Sequence, residues 1–150
     1  MNTMQDVQGF VAEKTLAVAG VSRNEKSFSA MAFKELRTKG YTLYPVNPNA
    51  ATVLGEKCYP SVGALPGKVG GVLVFTPPAH TEKVVREAVA AGIRRIWIQQ
   101  GAQSDAAVRF CADSKLPAVR RQCILMYAEP VASLHAFHRW VKKLFGGLPR

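Results

Sequence analysis

The segment at residues 15–27 constrains the fold of this chain more than any other; it reads Thr-Leu-Ala-Val-Ala-Gly-Val-Ser-Arg-Asn-Glu-Lys-Ser. Residues 15–19 form a short, mostly apolar run, which is typical of a central strand in a parallel sheet. Gly20 allows a sharp turn and a close approach of the backbone to a ligand. Ser27 or Ser29 can cap the helix that follows. Because a helix N-terminus presents unpaired N–H groups and partial positive charge, the segment predicts a site for a phosphorylated, nucleotide-like molecule.

Two cations, Arg23 and Lys26, stand in the same loop. They are either phosphate ligands or solvated loop charges, and their place beside a helix N-terminus favours the first interpretation. The whole chain carries a net charge of +10, which favours anionic partners such as nucleotides, nucleic acid or anionic lipid. Because the charges are spread along the sequence, a basic but merely solvated surface explains them equally well.

Strand-like and helix-like segments alternate along the rest of the chain. Near-continuous apolar strands separated by helices predict an α/β fold with a doubly wound, mainly parallel sheet and helices on both faces. Further strands are predicted at residues 41–46, 53–58, 71–75 and 95–98, and a last one begins at residues 117–119 and continues irregularly to residue 129. Helices are predicted at residues 29–39, at residues 79–91 and from a Ser104 cap to about residue 114, with a short helical turn capped by Ser61.

One domain is expected over residues 1–130, because a chain of 150 residues is long enough to bury a core. Residues 131–150 are predicted to add a basic, amphipathic C-terminal helix and tail. Its apolar stripe is expected to dock on the same domain or on a second subunit, which leaves a homo-oligomer open; the alternative is a surface for membranes or nucleic acid. The N-terminus lacks a signal-peptide pattern and no apolar run is long enough to span a membrane, so we expect a cytoplasmic protein.

Ligands of doubly wound sheets bind outside the carboxyl ends of the strands, at the topological switch point. Loops at residues 20–27, 47–49 and 76–80 fit that position, and residues 99–101 are a fourth candidate. One alternative ligand is a nicotinamide dinucleotide, which would make the chain an NAD(P)-dependent oxidoreductase. Its fingerprint needs two further glycines in the first loop and an acidic residue after the second strand. Here both glycines are absent, Asn47 replaces the acid and no arginine follows for NADP, so the pattern weighs against this alternative.

Several short motifs occur together between residues 15 and 124. The most specific are Pro-Val-Asn-Pro at residues 45–48 and Gly-Glu-Lys-Cys-Tyr-Pro-Ser at residues 55–61. They are joined by Gly-Val-Ser at residues 20–22, Thr-Pro at 76–77, Ile-Trp-Ile-Gln-Gln-Gly at 96–101 and Arg-Gln-Cys-Ile at 121–124. This set resembles the small CoA-binding protein family, a free-standing version of the CoA-binding domain of the succinyl-CoA synthetase α subunit. The resemblance implies a Rossmann-like fold that binds CoA or acyl-CoA through its ADP-3′-phosphate portion.

The resemblance also implies a role for each matched residue. Gly20, Val21 and Ser22 would hold the pyrophosphate. Arg23 and Lys26 would bind phosphate charge, and the 3′-phosphate is one option for that charge. Val46, Asn47 and Pro48 would line the adenosine pocket. Thr76 and Pro77 would form the opposite wall of the pocket. Gln100 and Gly101 would reach the pantetheine arm. Asn47 can equally be a turn former before Pro48.

The sequence shows neither the phosphohistidine domain nor the nucleotide-grasp subunit of the synthetase, so non-catalytic binding, as a sensor or carrier, is expected. His80 is a candidate proton shuttle. The favoured interpretation is an exposed histidine without a catalytic role, because no nearby acid orients it. His135 and His138 share a helix face, but no third metal ligand accompanies them.

Cys58 and Cys123 are candidates for reactive thiols or for mixed-disulfide partners of CoA, although buried, inert side chains are the favoured interpretation. Arg120 and Arg121 would favour a reactive thiolate at Cys123 if they lie close to it. The three cysteines of the chain form no CxxC pair, so neither a zinc site nor a disulfide framework is indicated.

Overall fold

The computed structural model describes residues 3–65 and 67–128. Its helices are α1 (Met4–Val11), α2 (Phe28–Thr38), α3 (Pro78–Ala90) and α4 (Asp105–Asp113). Its strands are β1 (Thr15–Ala19), β2 (Thr42–Val46), β3 (Thr52–Val53), β4 (Glu56–Lys57), β5 (Gly71–Val74), β6 (Ile96–Gln99) and β7 (Val119–Gln122). Short 3-10 turns lie at Val62–Ala64 and Ile124–Met126.

Five parallel strands form the main sheet in the order β2-β1-β5-β6-β7. At the end of β1, Ala19 pairs with Val46 of β2 on one side and with Val74 of β5 on the other. The chain therefore leaves β1 for one edge of the sheet and later crosses to its other side. That reversal is a topological switch point, where the diverging loops leave a crevice. The predicted α/β, Rossmann-like fold is confirmed.

Alternate residues of the strands bury their side chains on opposite faces of the sheet. Val18 and Trp97 belong to the cluster that includes Leu36 of α2. Ala17 belongs to the cluster that includes Val85 of α3. Parallel strands covered on both faces are apolar along their whole length, which explains why β1, β5 and β6 are recognisable in the sequence as continuous apolar runs.

Two helix caps behave as predicted and one does not. The Ser27 hydroxyl accepts a hydrogen bond from the Ala30 N–H at 3.2 Å, and the Ser104 hydroxyl accepts one from the Ala107 N–H at 3.1 Å. Ser61 precedes the 3-10 turn at Val62–Ala64 but makes no capping hydrogen bond with its side chain. Its extended backbone starts the turn without that contact.

Three segments differ, wholly or in part, from what the sequence predicts. The strand expected at residues 53–58 is instead the antiparallel hairpin β3–β4, because Leu54 and Gly55 both adopt positive φ, at 52° and 78°, and reverse the chain. The last strand, β7, continues to residue 122, beyond the expected residues 117–119, but it is irregular there as expected: its register shifts opposite Ile98 and Gln99, and Arg121 has a positive φ of 58°. Helix α1 was not predicted; its start is fixed by a capping box in which Thr3 and Asp6 exchange side-chain-to-backbone hydrogen bonds.

In the described ranges, no helix is long and apolar enough to cross a membrane. The predicted C-terminal helix, with His135 and His138, lies outside the described residues.

Candidate functional site

A cleft of about 340 Å³ opens at the carboxyl ends of β1, β2 and β5. One wall of the cleft is formed by α3, from its first turn to Glu87. Its lining contains Ala19, Gly20, Val21, Ser22, Val46, Asn47, Pro48, Asn49, Pro60, Thr76, Pro77, His80, Lys83, Val84 and Glu87. The cleft therefore occupies the switch point at which the topology places ligands.

Most of the residues singled out from the sequence meet in this cleft. They are Gly20, Val21, Ser22, Val46, Asn47, Pro48, Thr76 and Pro77. The remaining four, Arg23, Lys26, Gln100 and Gly101, are exposed and do not belong to the lining. The loop of Gln100 and Gly101 is held elsewhere: the Gln100 N–H donates to the Gln122 carbonyl at 3.3 Å, and the Gly101 N–H donates to the Gln103 side chain at 3.0 Å.

Position 20, in the lining of the cleft, requires a glycine for two reasons. Its φ of +85° lies in the region that L side chains avoid. A Cβ at this position would also lie 2.6 Å from the backbone nitrogen of Thr76. The loops after β1, β2 and β5 are drawn together here, because Gly20 N–H donates to the Val46 carbonyl at 3.2 Å and Phe75 N–H donates to the Ala19 carbonyl at 2.8 Å.

Serine side chains shape the loop between β1 and α2. The Ser22 N–H donates to the Ser29 hydroxyl at 3.0 Å, so Ser29 holds the loop while Ser27 caps the helix. The Ser22 hydroxyl in turn accepts a hydrogen bond from the Asn24 N–H at 3.0 Å. A hydroxyl has a single proton, and this contact leaves the proton of Ser22 available as a donor to an anion in the cleft.

Asn47 acts as a turn former at the end of β2. Its side-chain oxygen accepts a hydrogen bond from the Asn49 N–H at 2.8 Å, the pattern of an Asx turn. Its own N–H donates to the Tyr59 carbonyl at 2.9 Å, which brings the neighbouring Pro60 into the cleft. The amide NH₂ group of Asn47 is a second hydrogen-bonding function and lies at the wall of the cleft.

A chain of hydroxyl groups ties the opposite wall together. The Thr81 hydroxyl donates to the Ala102 carbonyl at 2.6 Å and lies 2.8 Å from the Thr76 hydroxyl. Because Thr81 uses its proton on Ala102, Thr76 must donate to Thr81. Thr76 therefore offers its remaining lone pairs, and not a proton, to the cleft.

Sequence reasoning missed the contribution of α3 beyond its first turn. His80, Lys83, Val84 and Glu87 all line the cleft, at the helical spacing of three and four residues that places side chains on one face. Of these, only His80 is a candidate from the sequence. A signal for the others is present in the sequence, because a helix predicted to start just after Pro77 brings these positions to the same side as its first turn.

The cysteines lie outside the lining of the cleft, and all three are buried. Burial raises the pKa of Cys58, against the lowering effect of its backbone hydrogen bonds with Asn47 and Tyr59. Burial also raises the pKa of Cys111 to about 11, and the charge of Arg120 opposes that rise. The sequence suggested that Arg120 would act on Cys123; the structure shows its charge acting on Cys111. Within the described residues no cluster of three or more metal-ligating side chains occurs.

A second, more open groove of about 820 Å³ lies between the segment after Ser61 and the C-terminal half of α3. It shares Glu87 with the cleft and contains none of the residues singled out from the sequence as ligand-binding. The two surfaces are therefore adjacent but distinct.

Comparison with known proteins relates the chain to CoA-binding proteins. The family model described as the CoA binding domain matches residues 14–129. Acetate–CoA ligase [ADP-forming] II of Archaeoglobus fulgidus is 32% identical over 94 residues, which cover 61% of this chain and 14% of the ligase. The chain thus spans a small part of the ligase. The uncharacterized protein YneT of Bacillus subtilis is 28% identical over 111 residues, which cover 74% of this chain and 82% of YneT.

A solved structure agrees with these matches. A hypothetical protein from Pyrococcus horikoshii OT3 superimposes with a TM-score of 0.79 at 31% identity, covering 86% of this chain and 92% of that one. The family match extends from just before β1 to beyond β7 and includes every segment that lines the cleft. This chain belongs to the CoA binding domain family.

Proposed function

We propose that this chain binds CoA or acyl-CoA through the ADP-3′-phosphate portion, without chemical conversion, and acts as a sensor or carrier. One observation carries the proposal: the carboxyl ends of β1, β2 and β5 converge on a single cleft lined by the glycine turn, the Asn-Pro turn and the Thr-Pro turn. Family membership supports the choice of ligand.

The pyrophosphate is assigned to the glycine turn at residues 20–22. Gly20 leaves the backbone uncovered, and the Ser22 hydroxyl supplies a donor. The N-terminus of α2 adds partial positive charge on the same side. Arg23 and Lys26 are exposed on this loop, outside the lining of the cleft. They are assigned to attract the phosphate charge from that outer position.

The adenosine is assigned to the part of the cleft between β2 and α3. Val46, Pro48, Pro60 and Val84 provide apolar surface for the base. The hydrogen-bonding edge is supplied by the amide of Asn47, which can serve the ribose or the base. The opposite wall is formed by Thr76 and Pro77. Since Thr76 presents an acceptor, it suits a hydroxyl or amino group of the ligand better than a phosphate oxygen.

The pantetheine arm is assigned to the exposed loop of Gln100 and Gly101, which follows β6 at the same edge of the sheet. A binding role, and not a catalytic one, is supported by the surroundings of His80. This side chain is exposed, and in the described part of the chain no side-chain hydrogen bond or ion pair orients it. A general base is commonly oriented by such a partner.

Isothermal titration of the full chain with CoA, dephospho-CoA, NAD and NADP tests the proposal. We expect CoA to bind about tenfold more tightly than dephospho-CoA, the size of one charge-assisted contact to the 3′-phosphate, and NAD to bind more weakly still. Acetyl-CoA should bind as tightly as CoA, because the assigned contacts are to the nucleotide and the pantetheine arm, and none is to the acyl group. Preference for NAD or NADP, or no binding of any of the four, would contradict the proposal.

A further inference from the structure

The described lining of the cleft contains a single lysine or arginine side chain, that of Lys83. Arg23 and Lys26 lie on the loop before α2 and are not part of that lining. A phosphate placed inside the cleft would therefore meet Lys83 before it met either loop cation. This distribution of charge assigns Lys83 a role that the motifs of the chain did not reveal.

Helix α3 presents its charges to the cleft in a fixed order. His80 lies in the first turn, Lys83 follows three residues later and Glu87 lies four residues beyond it. The N-terminal end of the helix carries partial positive charge, which favours an anion near His80 and Lys83. The carboxylate of Glu87 disfavours an anion at the other end of this face. The wall formed by α3 is therefore polarised, and its N-terminal half suits a phosphate.

The other groups on this side of the cleft do not suit a phosphate. The Thr76 hydroxyl donates its proton to the Thr81 hydroxyl, which in turn donates to the Ala102 carbonyl. Thr76 therefore presents only acceptor lone pairs to the cleft. Pro77 has no N–H to donate. On the described wall opposite the β2 turn, the donors to a phosphate oxygen are thus Lys83 and His80.

CoA carries phosphate at two positions of one ribose, a pyrophosphate at the 5′ position and a monoester at the 3′ position. If the pyrophosphate occupies the glycine turn and the base contacts the β2 turn, the 3′-phosphate has α3 as its remaining wall. We infer that Lys83 is the residue that selects ligands carrying a 3′-phosphate, with His80 as a second donor beside it. The inference rests on the proposed function and deepens it, since it separates 3′-phosphate recognition from the loop cations.

The test is isothermal titration of CoA and dephospho-CoA into the full chain and three variants. Lys83→Gln removes the charge that makes the proposed contact and leaves a polar side chain that is one atom shorter. Lys68→Gln is the matched control, because Lys68 is exposed in the second groove and its replacement changes the net charge equally. The double variant Arg23→Gln/Lys26→Gln probes the loop cations. Circular dichroism checks that each variant is folded.

We expect Lys83→Gln to lower the affinity for CoA about tenfold and to leave that for dephospho-CoA unchanged, so that the preference disappears. The loop double variant should weaken both ligands by a similar factor and keep the preference, and Lys68→Gln should behave as the unaltered protein. A Lys83→Gln variant that retains the preference would overturn the inference while leaving the proposed function intact. Absence of CoA binding by the unaltered protein would instead overturn the proposed function, and the inference with it.

Discussion

At the scale of single residues, Gly20 couples the fold to the site. Its backbone conformation and its contact with Thr76 both exclude a side chain, and the same absence of a side chain opens the loop to a phosphate. The packing of β1 against the loop after β5 and the access of the ligand thus depend on one position.

Replacement of Gly20 by alanine should be severe. The positive φ alone costs about 1–2 kcal/mol, and the contact of the new Cβ with the Thr76 backbone forces the two loops apart. We expect loss of more than about 2 kcal/mol in the free energy of unfolding and loss of detectable CoA binding. Urea denaturation and titration calorimetry measure the two effects.

Gly40→Ala is the matched control, because Gly40 has a φ of +90°, a Cβ added there would have no heavy atom within 4 Å, and the residue lies away from the cleft. It should lose about 1–2 kcal/mol of stability from the strained φ alone and bind CoA normally. Equal effects of the two substitutions on binding would contradict the role given to Gly20.

Cys111 predicts a pH dependence of stability. Its pKa in the folded protein is about 11 against an ordinary value of 9.0, because burial disfavours the thiolate. The folded state therefore holds this proton more tightly than the unfolded state, so its contribution to stability is complete below pH 9 and is lost between pH 9 and 11. Urea denaturation across this range should show a steeper loss of stability in the unaltered protein than in Cys111→Ala. Parallel curves would count against a buried, neutral thiol.

At the scale of elements, the start of α2 links helix stability to the phosphate loop. Ser27 caps the helix, and its hydroxyl lies 3.4 Å from that of Ser29, which holds the Ser22 N–H. The cap and the loop thus form one unit. Helix α4 offers a comparison, since Ser104 caps it in the same way without taking part in the cleft.

Ser27→Ala and Ser104→Ala should each cost about 1 kcal/mol of stability, as the loss of an N-cap does. Only Ser27→Ala should also weaken CoA binding, because it loosens the loop that carries Ser22. Thermal unfolding and calorimetry of the pair separate the two effects. Unchanged affinity in Ser27→Ala would show that the loop does not depend on the cap.

The elements that were predictable from the sequence are those with complete local signals. The buried strands are continuous apolar runs, and the caps of α2 and α4 are serines just before each helix. Helix α1 was missed because its apolar pattern is short, with only Val7 and Phe10 buried, although Thr3 and Asp6 carried a capping box. The hairpin β3–β4 was missed because Leu54 adopts a positive φ, which a leucine rarely does.

At the scale of the whole molecule, the topology explains how much of the site was predictable. Loops after parallel strands share one edge of the sheet, so residues at 20–22, 46–48 and 76–77 meet although they are distant in sequence. The loop of Gln100 and Gly101 follows β6, the next strand of the sheet, and lies outside the cleft because the Gln100 N–H bonds to the Gln122 carbonyl of β7. Lys83 and Glu87 were missed because no motif marks them: their place at the cleft follows only from the helical spacing and the packing of α3.

The most direct test of the central claim is to map the ligand on the molecule. Backbone amide shifts of the isotope-labelled full chain, recorded by NMR during titration with CoA, locate the contacts. We expect the largest changes at Gly20, Val21, Asn47 and Thr76, which line the cleft at the carboxyl edge of the sheet. Changes concentrated instead at Gly63, Gly67 and Gly92, in the second groove, would contradict the assignment of CoA to the cleft.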